Sequence, residues 1–297
     1  ASDGTLTSTQ AVTVSVADVA PAISSGAAGG VTEGAAAGTT VYTAAASDVA
    51  GGTVSYSLSG TDAGSFSINS STGVVTINAV PDFESKSSYS FDVVASDGAL
   101  ASTKSVTVSV SDAAPGFSSG TTGSVTEGAA AGTTAYTAVS SDVAGGTVSY
   151  SLSGTDAGSF TIDASTGVVT INAIPNYETK SSYSINVAAS DGTLTSTQAV
   201  TVSVSDIAPS FSSGTAGGVT EGAAAGTTVY TAAAVDPAGG TVSYSLSGTD
   251  AGAFSINAST GVVTINAVPD YEAKSSYSIN VVASDGTLSS TQAVTVS

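Results

Sequence analysis

One 94-residue unit recurs three times in this chain, and that recurrence limits the fold more than any other feature. The string Val-Thr-Glu-Gly-Ala-Ala-Ala-Gly-Thr-Thr begins at Val31, Val125 and Val219, 94 residues apart each time. Between Glu127–Ser203 and Glu221–Ser297, 64 of 77 aligned positions are identical. A unit of this length is one small domain. Three domains are therefore expected, at 21–114, 115–208 and 209–297. Residues Ala1–Leu6 repeat Ala189–Leu194, so residues 1–20 read as the closing strands of a preceding, truncated repeat, and the chain as a window on a longer array. Chemistry needs only one constellation of groups, whereas three near-copies suit a rod, a spacer or a multivalent binder.

Within the unit, polar and apolar residues alternate with the period of a half-buried strand. Thr53-Val54-Ser55-Tyr56-Ser57-Leu58-Ser59 is one such run, and Ser105-Val106-Thr107-Val108-Ser109-Val110 is another. Turn residues separate the runs, as in Ser59-Gly60-Thr61-Asp62-Ala63-Gly64 and Ser71-Thr72-Gly73. The pattern predicts strands near 29–33, 39–46, 53–58, 65–69, 74–78, 87–96 and 102–110. The Ala-rich stretch Thr43-Ala44-Ala45-Ala46 is too short to hold as a helix alone. Seven strands with turns every 8–12 residues predict an all-β fold of immunoglobulin-like Greek-key sandwiches. The inward residues would be Val54, Tyr56, Leu58, Phe66, Ile68, Tyr89, Phe91, Val93, Val106 and Val108.

Composition then removes function classes. There is no His, Cys, Met, Trp or Arg, and four lysines face 23 acids for a net charge of −19. Without His or Cys there is no Ser-His-Asp triad, thiol nucleophile or ordinary zinc or haem site. The charge excludes nucleic acid as a partner, which needs cations to displace phosphate counterions, and it is repelled by an anionic membrane. No apolar run has the length of a membrane span. An acid pair such as Asp82 with Glu84 sits on one short segment rather than across a cleft, so glycoside hydrolysis is rejected and no enzyme is expected.

The acids recur at fixed places: Glu33, Asp48, Asp62, Asp82, Glu84, Asp97 and Asp112 in the first unit. Val31-Thr32-Glu33, Ala46-Ser47-Asp48, Pro81-Asp82-Phe83-Glu84, Ala95-Ser96-Asp97 and the closing Asp112-Ala113-Ala114-Pro115 stand in the order of a known pattern. On these residues the chain resembles the cadherin repeat over essentially its whole length, in the form found in large bacterial surface and secreted adhesins. The resemblance implies a linear array of cadherin-like sandwiches with calcium held at the junctions by carboxylates of both neighbours. One junction would use Glu33, Asp82, Glu84 and Asp112 with Asp142 and Asp191. The next would use Glu127, Glu178, Asp206, Asp236 and Asp285, with Asn176 in place of an Asp. The resemblance also places Asp18, Asp48 and Asp97 among the metal ligands. Converging carboxylates without Arg or His repel one another, and a hard dication that takes 6–8 oxygens relieves them.

Two departures lower the expected ion count to one or two per junction. The linker Asp112–Pro115 is shorter than the family's and lacks its Asn-Asp-Asn, and Ala50, Ala144 and Ala238 replace a second loop Asp. A metal-free reading stands beside this one. Each Glu-x-Lys (Glu84 with Lys86, Glu178 with Lys180, Glu272 with Lys274) would then neutralise its own glutamate on a strand face, and the remaining acids would form a solvated surface. Asn69-Ser70-Ser71 and Asn257-Ala258-Ser259 fit the glycosylation sequon.

These features predict an extracellular spacer of a bacterial surface adhesin, a semi-rigid rod whose short Pro-ended linkers and calcium limit bending. Two alternatives carry over. The repeats would themselves bind, to copies of the chain in trans or laterally or to a surface polysaccharide; or the chain would be a subunit of an extracellular filament or surface layer.

Overall fold

Alternation of small polar and β-branched residues produces strands throughout, and the computed structural model describes all 297 residues. In the first repeat these are β1 (Ala22–Ile23), β2 (Ala28–Thr32), β3 (Thr40–Thr43), β4 (Ala46–Ser47), β5 (Ser55–Ser59), β6 (Phe66–Ile68), β7 (Val74–Ile77), β8 (Ser88–Ser96) and β9 (Ala101–Ser111). A four-stranded sheet runs β2-β9-β8-β5, and a three-stranded sheet runs β3-β7-β6. β2 lies parallel to β9 (Val31 opposite Val110), whereas β8 is antiparallel to both β9 (Phe91 opposite Val106) and β5 (Tyr56 opposite Ala95). β1 and β4 form a separate short pair. The second and third repeats have the same arrangement of sheets.

The two sheets close over one apolar core per repeat. In the first, Val75, Val93, Ala95, Val106 and Val108 are fully buried around Phe91. Phe91 packs against Phe66 (4.8 Å between ring centroids) and Tyr42 (6.4 Å). Tyr42 and Tyr56 belong to this core, with their hydroxyls turned to backbone: the Tyr42 hydroxyl donates to Gly26 O (2.6 Å) and that of Tyr56 accepts from Ala46 N–H (2.9 Å).

Two details depart from the pattern read in the sequence. The run expected as one strand over 39–46 is broken between β3 and β4, where the chain passes from one sheet to the other pair. At the break Ala44 N–H still donates to Gly73 O (2.8 Å), the last bond to the β7 side, and a Cβ at Gly73 would collide with Ala44 O. The φ of +70° at Gly73 suits the same residue type. Residues 1–20 form a turn around Asp3 with one isolated bridge, Ser2 to Thr7, but no strand. Val12, Val14 and Val16 are exposed, while the matching Val200, Val202 and Val204 are buried. The latter lie on Thr195–Ser205, which is hydrogen-bonded to a strand on either side. No strand of these 297 residues flanks the N-terminal copy.

The chain divides into two compact units. Ala1–Ala114 and Asp142–Thr147 form the first, and Pro115–Ser141 and Val148–Ser297 form the second. The second unit thus carries the sheets of both the second and the third repeat.

Candidate metal centre

In the second unit, a carboxylate pins two segments together at the end of the second repeat. Glu127 follows the strand Thr122–Thr126 and is 2% exposed. Its Oε1 accepts from Ile207 N–H (2.8 Å) and its Oε2 from Tyr177 N–H (3.3 Å), so one side chain fixes the linker and the loop that carries Glu178. Loop aspartates of the third repeat meet it. Asp236 uses Oδ1 to accept from Ala238 N–H (2.8 Å) and Gly240 N–H (3.1 Å). Asp285 likewise takes Thr287 N–H (2.8 Å) and Leu288 N–H (2.7 Å) on Oδ1. Each aspartate spends one oxygen on shaping its own turn and presents the other.

Carboxylate oxygens of Glu127, Glu178 and Asp236 lie within 4.8 Å of one another, and so do those of Glu178, Asp206 and Asp285. Glu178 joins the two sets. Asp206 Oδ1, Asp236 Oδ2 and Asp285 Oδ2 are buried without a hydrogen-bond donor. Thr287 supplies a hydroxyl to Asp206 Oδ2. Buried acceptors are normally satisfied, and an unsatisfied charged one is costly. Three orphaned oxygens around two sets of acids fit a hard cation bound through oxygen.

The first unit repeats the design. Glu33 is 3% exposed and accepts from Ala113 N–H (2.8 Å) and Phe83 N–H (3.0 Å). Its oxygens lie within 4.8 Å of those of Asp82 and Glu84. Asp112 follows β9, and its charge acts on Glu84 together with that of Asp142. Asp142 is buried, accepts from Ala144 N–H (2.7 Å) on Oδ1, and leaves Oδ2 without a donor. Asp191, expected alongside these, belongs to the second unit, where its Oδ1 caps the turn to Thr193 and Leu194 and its Oδ2 is buried without a donor. Asp18, Asp48 and Asp97 join no group of three acids. Asp18 is exposed, Asp48 accepts from Ala50 N–H (2.6 Å), and Asp97 caps its turn through Ala99 and Leu100.

Burial, then the charges of Asp236 and Glu178, raise the Glu127 carboxyl above its ordinary 4.5, against the pull of its two backbone hydrogen bonds. Burial pushes up on Asp285 too, but the amides of Thr287 and Leu288 outweigh it and hold the group below 3.8. Asp62, held by Lys86 and by Ser90 N–H, is also lowered from 3.8. The two shifts act on stability with opposite sign. Glu127 contributes stability that is complete below 4.5 and is lost as pH rises through its raised value. The aspartates contribute stability that is complete above 3.8 and is lost as pH falls through their lowered values. Metal-free protein is therefore expected to be most stable between 3.8 and 4.5 rather than at neutral pH. Denaturant titrations at low protein concentration, since the isoelectric point is about 4.1, check this. A maximum at neutral pH would contradict the repulsion assigned to the cluster.

The lysines do not neutralise the glutamates two residues before them. Lys86 Nζ pairs with Asp62 Oδ1 (2.5 Å), and Lys180 and Lys274 pair in the same way with Asp156 and Asp250. Each ammonium also sits over a tyrosine ring, at 4.8 Å for Tyr89, 4.9 Å for Tyr183 and 5.0 Å for Tyr277. Glu84 and Lys86 do not share a strand face, because residues 82–86 form a turn closed by Lys86 N–H to Asp82 O (2.9 Å). Asp62, Asp156 and Asp250 were missed as partners, although each stands 24 residues before its lysine in all three copies.

A family model described as Cadherin domain matches three stretches, residues 28–111, 121–205 and 216–297. Among curated proteins, human Protocadherin Fat 4 is 32% identical over 251 residues, covering 79% of this chain and 5% of its own length. The Drosophila Protocadherin-like wing polarity protein stan is 33% identical over 254 residues, covering 76% of this chain and 7% of its own length. Of solved structures, repeats EC22-24 of mouse Cadherin-23 are 26% identical and cover 94% of this chain and 98% of that one, with a TM-score of 0.37. The chain thus spans a small fraction of the curated relatives it matches.

Proposed function

The chain belongs to the cadherin-domain family, and from that premise we propose that it is an extracellular spacer segment of an adhesion protein, stiffened by calcium at carboxylate clusters where repeats meet. The observation that carries the proposal is the set of buried, donorless oxygens on Asp206, Asp236 and Asp285 beside Glu127 and Glu178. Glu127, Glu178 and Asp206 come from the second repeat and its linker, and Asp236 and Asp285 from the third. An ion held by all five would join the two repeats within one unit. Two overlapping sets sharing Glu178 leave room for one or two ions. In the first unit Glu33, Asp82, Glu84, Asp112 and Asp142 would form the corresponding set.

What the cation supplies is charge: it turns mutual repulsion into attraction. The protein's own part is to aim the oxygens, through the turn amides on Asp236 and Asp285 and the two amides on Glu127. Cadherin domains with no catalytic machinery suit a mechanical role. The named relatives are animal proteins and lend no support to a bacterial parent. The proposal needs only an extracellular compartment with free calcium.

Calorimetric titration with calcium chloride tests the assignment of ligands. Asn176 stands where the first repeat has Asp82, and its Oδ1 accepts from Thr179 N–H (2.7 Å) as Asp82 Oδ1 accepts from Ser85 N–H (2.9 Å). The amide keeps the turn and lacks the charge. Affinity in such sites follows ligand charge, so Asn176→Asp is expected to tighten calcium binding in the second unit. Unchanged or weaker binding would remove position 176 from the ligand set, and absence of any binding heat in the parent would remove the calcium reading.

A further inference from the structure

Gly34, Gly128 and Gly222 occupy one turn in the three repeats, each directly after a glutamate and with φ of +70°, +71° and +75°. Their surroundings differ. A Cβ at Gly128 would lie 2.7 Å from Pro237 Cβ and 2.9 Å from Pro237 O. At Gly34, within the first unit, it would lie 2.6 Å from Val143 Cγ2. At Gly222 it would meet nothing within 4 Å. All three need the left-handed backbone, but only the first two are also covered by another residue.

Both sides of the Gly128 contact are stiff. Gly128 N–H donates to Pro175 O (3.0 Å), which fixes the turn to the neighbouring loop. Opposite it, the proline ring fixes φ. The Pro237 loop is closed by Ala238 and Gly240 N–H on Asp236 Oδ1 and by Gly239 N–H on Asp236 O (3.1 Å). Hole and knob each adjoin a buried carboxylate, Glu127 before Gly128 and Asp236 before Pro237, and those two carboxylates belong to one group of three.

We propose that Pro237 seated on Gly128 is a cation-independent latch that sets the orientation of the third repeat on the second, and that it holds Asp236 beside Glu127 before an ion binds. The orientation follows from a rigid ring meeting bare backbone, with no charge involved. Only the consequence for binding rests on the calcium reading: a preformed cluster spares the ion the work of ordering it.

The chain has no cysteine, so Ser151→Cys and Ser245→Cys, both at exposed strand positions, accept spin labels in the second and third repeats. In chelator, the labelled parent is expected to give a narrower distance distribution than the latch variants, and calcium should narrow it further. Gly128→Ala should broaden or displace it, while Gly222→Ala, which bears the same φ penalty in open space, should leave it as in the parent. Pro237→Gly removes the knob without a clash and should broaden it too, which keeps the test available if Gly128→Ala folds poorly. In calorimetry with calcium chloride, Gly128→Ala should weaken binding about tenfold with every carboxylate intact, the scale of a lost supporting contact. A parent already as broad as Gly128→Ala in chelator, or equal broadening by Gly222→Ala, would overturn the latch. A narrow parent distribution with no calcium heat would overturn the calcium reading and leave the latch standing.

Discussion

Removal of calcium is expected to lower the melting temperature of the second unit by about 5–10 °C at neutral pH. The size follows from mass action: an ion that binds only the folded state contributes about 2.7 kcal/mol at a hundredfold excess over its dissociation constant. A unit of about 150–250 residues, such as this pair of repeats, shifts by about 2–4 °C per kcal/mol. Asp236→Asn makes the prediction two-sided. With one negative charge fewer beside the buried Glu127, the metal-free variant should melt above the metal-free parent, because Asp236 is among the charges that raise Glu127. In calcium it should melt below the parent, because a ligand has lost its charge. Calorimetric scans of both proteins in calcium and in chelator give the four values. Equal melts for the parent in the two buffers would end the calcium reading, and a destabilised Asp236→Asn in chelator would show that the cluster is not repulsive.

The same cluster shows where reading residues along a chain stops. The period alone does not say which acids meet, because Asp62 recurs as regularly as Glu84 and pairs with Lys86 instead; the grouping comes from the resemblance. Which oxygen each one presents is not legible either, because it depends on loop amides such as Ala238 and Gly240 closing on one side of Asp236. The lysines illustrate a different failure: a spacing of two implies a shared face only in an extended strand, and Lys86 stands at the end of a turn.

The fold was legible wherever period-two alternation is unbroken. Phe91, Val93, Val106 and Val108 are buried as their alternation predicts, and Val54, Leu58, Ile68 and Tyr89 line the margin of the same core. Val41 and Tyr42, adjacent and both buried, were not foreseen. The pairing of β3 with β7 shifts register between Thr40 and Tyr42, and such a bulge turns two successive side chains inward. Val31 and Val110 escaped for a different reason, since they meet only through the parallel pairing of β2 with β9 at opposite ends of the repeat.

Truncating Phe91 should unfold the first sandwich selectively. Phe91 is 1% exposed and is the largest fully buried side chain of the protein, and it meets both Tyr42 and Phe66. Phe91→Ala removes most of that volume and is expected to destabilise by about 3–5 kcal/mol, a large share of the about 5–15 kcal/mol that holds a small domain folded. The sister repeats supply the control, because Ile185 and Ile279 occupy the same place and are fully buried. Phe91→Ile should therefore be accepted far better than Phe91→Ala. Calorimetry should show the transition of the first repeat moving down while those of the other two, whose cores are separate clusters, stay in place. If all transitions move together, the repeats share cooperative stability; if Phe91→Ile is as harmful as Phe91→Ala, the aromatic cluster around Phe66 is a packing unit that the isoleucine repeats have solved differently.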